Sequence, residues 1–143
     1  MLDRIYSWEF PIPPDAIDGN GHVNNVRFVQ WMQDIAIAHA GHNGATAAAQ
    51  ASGGTWFVRS HRIDYLGQAF PDDTLLAQTW VVDLQRVRSR RRFRFLRASD
   101  RAVLARAETE WAYVESSTGR PRAIPPEVIA CFDAVGEEEP ALS

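Results

Sequence analysis

Between Asn25 and about Ala40, apolar residues recur at helical spacing, and this segment constrains the fold more than any other. Val29, Met32, Ala36 and Ala40 form one stripe, which Phe28, Ile35 and His39 widen. A helix apolar around so much of its circumference is expected to be buried on most sides. Asn24 can cap it, and Gly41 and Gly44 can end it. What surrounds it must come from the rest of the chain, which is mostly strand-like. Leu2 to Phe10 carries aromatic and β-branched positions and ends at Pro11, Pro13 and Pro14. Thr55–Leu66, Thr74–Leu84, Arg86–Arg97 and Ala102–Val114 alternate or are rich in β-formers. Their short links favour an antiparallel meander over parallel units joined by helices. Pro125 to Val135 is expected to hold a short helix. The order predicts an α+β fold: a curved antiparallel sheet of about five strands wrapped around one long central helix.

A length of 143 residues fits one domain, placed at 1–136, followed by an acidic tail at 137–143 that is expected to be frayed and solvated. No apolar run approaches the roughly 20 residues of a membrane span, and the first residues lack a secretory pattern, so a cytoplasmic protein is expected. The lone cysteine, Cys131, forms no internal disulfide. The four histidines are scattered, and no metal site is expected. A net charge of −3 argues against nucleic acid as partner.

Just before the helix lies Asp18-Gly19-Asn20-Gly21-His22-Val23-Asn24-Asn25. In an extended chain alternate side chains share one side, so Asp18, Asn20 and His22 can converge. Gly21 lets the backbone approach a ligand closely. Unpaired N–H groups at a helix start favour developing negative charge, which suits acyl chemistry. Each residue also has a plainer use. Asp18 can cap its own turn, His22 can bond a backbone carbonyl, and Asn24 and Asn25 suit cap and turn positions.

This stretch, continued through Val26-Arg27-Phe28, resembles hotdog-fold thioesterases of the 4-hydroxybenzoyl-CoA thioesterase family. It is also similar to a motif of acyl-ACP thioesterases. Ile63-Asp64-Tyr65-Leu66, Pro71-Asp72-Asp73 and the run from Thr118 to Pro125 look like later segments of the same families. The resemblance extends from about residue 5 to 130. It implies hydrolysis of an acyl-CoA or acyl-ACP thioester, with coenzyme A present only as part of the substrate and no cofactor. The family's catalytic aspartate falls on Asp18, and its Asn and His fall on Asn20 and His22. The oxyanion-binding backbone N–H falls on or beside Asn25, with Gly21 and Asn24 lining the substrate site. A second aspartate common in the family is absent, because Ala16 holds its place. With one hotdog unit per chain, the resemblance implies a homodimer or homotetramer.

All 15 basic residues are arginines, and seven of them fall between Arg86 and Arg97. Arg86, Arg88, Arg90, Arg92 and Arg94 share a face of one regular strand, with Val87, Phe93 and Phe95 opposite. Glu108 and Glu110 can meet them only if the next hairpin keeps parity, which a loop of odd length near Asp100 would do. Arg88, Arg90 and Arg92 are candidates for holding coenzyme A phosphates or an acidic carrier protein. Cross-strand ion pairs on a solvated face are the alternative. Two other functions share the fold: a dehydratase or hydratase, and a protein that binds acyl-CoA without turnover. Asp34, on the helix, is a further carboxylate that could take part or pair with arginine.

Overall fold

A computed structural model describes Arg4 to Leu142. Strand β1 spans Ile5–Pro11, helix α1 Asn25–His42 and helix α2 Ala45–Ala51. Four strands follow: β2 Gly54–Tyr65, β3 Thr74–Gln85, β4 Arg88–Arg97 and β5 Val103–Glu115. Helix α3, Pro126–Ile129, is the one-turn remnant of the helix expected over 125–135. Leu2, where the first strand was expected to begin, lies outside the described residues. The five strands form one sheet in the order β1-β3-β4-β5-β2, every pair antiparallel.

Helix α1 has 18 residues, and its buried positions are Phe28, Trp31, Met32, Ile35, Ala36 and His39. That spacing of three and four residues lays one side of the helix on the sheet. There it meets Leu75, Ala77, Phe93, Phe95, Ala105 and Ala107 in a single core. Phe28 stands edge-on to Phe95 at 5.2 Å between ring centroids, a favourable aromatic geometry. The burial is one-sided: Val26 and Ile37 are 70% and 63% exposed. The expectation of a helix covered on most sides therefore fails for a single chain. The sheet covers one face and leaves the other open.

The Ala-rich segment after α1 is itself a helix, α2, entered through Gly44 at φ 82°. Tyr113 fills the space beside Gly54 so closely that no Cβ fits there. Arg86 is not in a strand. It sits at φ 49° in the two-residue turn joining β3 to β4, where Gln85 pairs with Arg88.

The hairpin of β4 and β5 keeps parity, by a route other than an odd loop. Leu96 pairs with Val103, leaving six residues between them, and a bulge then shifts the register so that Phe95 pairs with Ala105. Beyond it, Arg92 opposes Glu108 and Arg90 opposes Glu110, so the extra residue of the bulge supplies the parity. Strand β2, paired only with β5, is an edge strand with a bulge between Val58 and Ser60 and with Phe57 61% exposed.

The C-terminal tail is bound to the sheet, contrary to the expectation that it frays. Val135 and Gly136 donate backbone hydrogen bonds to Val81 and Val82. From there the tail crosses the outer face. Glu137 pairs with Arg90 and Arg92, and Glu139 pairs with Arg106 and Arg94.

Candidate active site

Between β1 and α1 the chain makes a 3-10 turn, Pro14–Ala16, and then doubles back. Ile17 bridges Val23, Asp18 N–H donates to the His22 carbonyl at 3.0 Å, and Gly21 N–H donates to the Asp18 carbonyl at 3.1 Å. The stretch 17–23 is thus a miniature hairpin, and the extended alternation read from the sequence does not describe it. Gly21, at φ 81°, occupies a turn position that disfavours residues with a Cβ. Asp18 and His22 are directly opposed across this hairpin, and opposed residues of an antiparallel pair project to the same side about 5 Å apart. Asn20 sits at the exposed apex, its N–H donating to Asp18 Oδ1 at 2.9 Å. Asp18 therefore does cap its own turn, while its other carboxylate oxygen has no protein hydrogen bond among the described residues.

The hairpin delivers the chain to the start of α1. Asn24 caps the helix, its Oδ1 accepting from Val26 N–H at 3.0 Å, as its place before the helix predicts. Asn24 N–H donates to Ala16, and Val23 N–H donates to Ala69, anchoring the entry to two neighbouring loops. Tyr65, at the end of β2, donates its hydroxyl to the Asn25 carbonyl at 2.9 Å. Burial pushes the Tyr65 phenol up from its ordinary pKa, further into the range where it is a donor. The Asn25 N–H, by contrast, has no acceptor among the described residues. Around it lies a cleft of about 330 Å³ lined by His22, Asn25, Phe28, Tyr65, Leu66 and Gln68, among others. A helix-start residue whose N–H has no acceptor thus lines a space built from an imidazole, a tyrosine and apolar side chains. Asp18 and Asn20 lie on the hairpin beside the cleft and are not part of its wall.

The remaining candidates lie elsewhere. Asp34 accepts from Gln30 at 2.9 Å along the helix. Arg88, Arg90 and Arg92 are on the outer face of the sheet, away from α1. Arg90 is held by Asp83 and Glu137, which raise its pKa above the ordinary guanidinium value. Arg92 bonds Glu108 at 2.9 Å and Glu137 at 2.9 Å. Arg88, half exposed, comes no nearer than 3.7 Å to Glu110. Among the described residues no group of three His, Cys, Asp or Glu side chains could hold a metal, and no helix is long and apolar enough to cross a membrane.

The thioesterase-like superfamily matches residues 12–132, a span that includes the hairpin, the capped helix and the whole cleft. This chain is a member of that family. As a thioesterase-like protein it belongs to the thioester hydrolases. Solved structures agree on the fold. A 1,4-dihydroxy-2-naphthoyl-CoA thioesterase from Synechocystis superposes with TM-score 0.79 at 16% identity, over 90% of this chain and 95% of that one. A Staphylococcus aureus hypothetical protein solved in complex with CoA gives TM-score 0.82 at 14% identity, over 97% and 92%. The 12:0-ACP thioesterase from Umbellularia californica gives 0.82 at 17% identity, over 97% of this chain but 57% of that one. No functionally curated protein matches this thioesterase-like chain in sequence.

The sequence reading missed Tyr65 and Gln68 as cleft residues. Tyr65 was visible only as part of a strand motif, and its proximity to Asn25 depends on where β2 ends relative to α1.

Proposed function

We propose that this protein hydrolyses an acyl-CoA thioester, in the cytoplasm, as a homo-oligomer of at least two chains. The observation that carries the reading is that Asn25, whose N–H has no acceptor among the described residues, lines a cleft beside the opposed hairpin residues Asp18 and His22. A carbonyl oxygen seated near Asn25 accepts this N–H as it becomes an oxyanion, and the helix dipole adds about 0.3–1 kcal/mol. Asp18 attacks the carbonyl carbon or takes a proton from the attacking water. Asn20 and His22 orient the carboxylate and the water, and Gly21 and Asn24 shape the approach. The C–S bond then breaks and the thiolate leaves without a strong acid, since a thiol pKa is roughly 8.5.

Pairing with a second copy fits this reading. The edge strand β2 offers a 12-residue row of unpaired backbone groups, which invites pairing with another β2. An antiparallel pair centred on the strand's midpoint sets the Gly54 end of one chain beside the Tyr65 end of the other. The cleft at Tyr65 is thereby completed by residues of the partner. Of the arginines considered for coenzyme A phosphates, Arg88 has the most exposed side chain and the loosest ion pair, 3.7 Å from Glu110.

The test is free-thiol release from a panel of acyl-CoA and acyl-ACP substrates. Steady thiol release supports hydrolysis. Dehydration or hydration of the acyl group without thiol, or binding alone, contradicts it and points to the other uses of this fold.

A further inference from the structure

Alternation along β4 sends Arg88, Arg90, Arg92 and Arg94 outward, and it sends Arg91 inward. Arg91 is only 4% exposed. Its Nη1 donates to His39 Nδ1 at 2.8 Å and to Thr79 Oγ1 at 3.1 Å, and its guanidinium lies 6.0 Å from the Phe132 ring centroid. A guanidinium can only donate, so His39 Nδ1 is the unprotonated ring nitrogen and His39 brings no negative charge. Among the described residues no carboxylate lies within ion-pair distance of Arg91, unlike its outward neighbours Arg90, Arg92 and Arg94. Burial lowers its pKa to about 10, which leaves it cationic at neutral pH. An unpaired buried charge is among the costliest features a fold can carry.

The same side chain lines a cavity of about 310 Å³ between α1, α2 and the sheet. Ala36, Ile37, Ala49, Trp56, Val81 and Phe132 make its walls mostly apolar. Trp111 also lines it, and the Trp111 Nε1 is buried with no acceptor among the described residues. The cavity thus sets one cation among mostly apolar walls that also carry Gln33 and Gln50, and it opens to solvent beside Ile37. At about 30 Å³ per atom it holds roughly ten non-hydrogen atoms.

We infer that this cavity receives an acyl group ending in a carboxylate, with Arg91 as the residue that selects the anionic terminus. The inference rests on the thioesterase reading and on pairing through β2. Within one chain the cavity and the cleft at Asn25 are about 16 Å apart along α1 and about 30 Å apart along β2. The paired arrangement sets the cavity of one chain, at Gly54 and Trp56, beside the cleft of the other, at Tyr65. The acyl chain then runs from the thioester carbonyl in one protomer to Arg91 in its partner. The carboxylate supplies the charge that Arg91 lacks. The reaction is unchanged: water oxygen bonds to the carbonyl carbon and the coenzyme A thiolate departs.

The probe pair is adipoyl-CoA and heptanoyl-CoA, similar in length and differing in the terminal charge. In the wild type, adipoyl-CoA is expected to be favoured in kcat/KM by roughly 10–100-fold, the range of a hydrogen-bonded charge. Arg91→Met, near in volume, erases that preference. An equal or reversed preference in the wild type overturns the assignment, and this comparison needs no variant to fold. If neither thioester releases thiol, the hydrolase reading fails on its own account, and calorimetric titration of the same two compounds decides about Arg91. Tighter adipoyl-CoA binding that Arg91→Met abolishes supports the assignment; equal affinities overturn it.

Discussion

Glu139 holds two arginines that the sheet register would otherwise set against each other. Arg94 and Arg106 are directly opposed on β4 and β5, an arrangement that is destabilising for like charges. Glu139 lies between them, 2.8 Å from Arg106 Nε and 3.5 Å from Arg94 Nη1. The Arg106 contact is half exposed and contributes about 0.2–1 kcal/mol after solvent screening. The Arg94 side chain is only 2% exposed, so its contact is less screened. Part of its hydrogen-bonding capacity is met independently by Gln78 and the Pro140 carbonyl. Together the two contacts predict that Glu139→Gln costs about 1–2 kcal/mol. Urea unfolding at neutral pH reads this as a lower midpoint with unchanged slope. The pH dependence has a definite sign. Arg106 and Arg94 hold the Glu139 carboxyl below its ordinary pKa. Its stabilisation is therefore complete above the unfolded value near 4.3 and is lost as pH falls through the lower folded value. The gap between wild type and variant stays constant from neutral pH to about 5 and closes in acid; added salt narrows it. A gap under about 0.3 kcal/mol at neutral pH, or one that widens in acid, refutes the bridging role.

Two further substitutions probe the frame of the site. Gly54→Ala drives a Cβ into the Tyr113 ring, which is fully buried; it is expected to cost about 2–3 kcal/mol in thermal or urea unfolding, and a neutral effect would show that Tyr113 moves freely. Asn24→Ala removes the cap on Val26 N–H and should cost about 1 kcal/mol, with a fall in thiol release because the first turn also presents Asn25; unchanged stability would mean that water replaces the cap.

What could be read in the sequence depended on how local its cause was. The start of α1 at Asn25 was legible because an Asn cap and the apolar period are local signals, and the helix runs two residues beyond Ala40. The strands were legible from alternation, although β4 begins at Arg88 because Arg86 and Val87 form the turn. Helix α2 was not anticipated, although its alanines are strong helix formers, because a segment of small residues shows no apolar period. The path of the tail was hidden because its cause is non-local. Glu137 meets Arg90 and Arg92 from 45 or more positions away. At the site, the extended alternation expected to gather Asp18 and His22 is not the local backbone geometry. A tight hairpin opposes them, where the alternation of an extended chain had been invoked. Arg91 follows directly from alternation, since the residue between two outward arginines must point inward. What it meets there depends on α1, and no local pattern encodes that.

The most direct measurement is thiol release by Asp18→Asn, with circular dichroism to confirm an intact fold. Removal of the carboxylate leaves the hairpin able to accept Asn20 N–H through the amide oxygen, so structure is expected to persist while turnover falls by roughly 100-fold or more. Turnover within about twofold of wild type in a folded variant would show that Asp18 serves the turn alone and that the carbonyl is attacked with help from elsewhere.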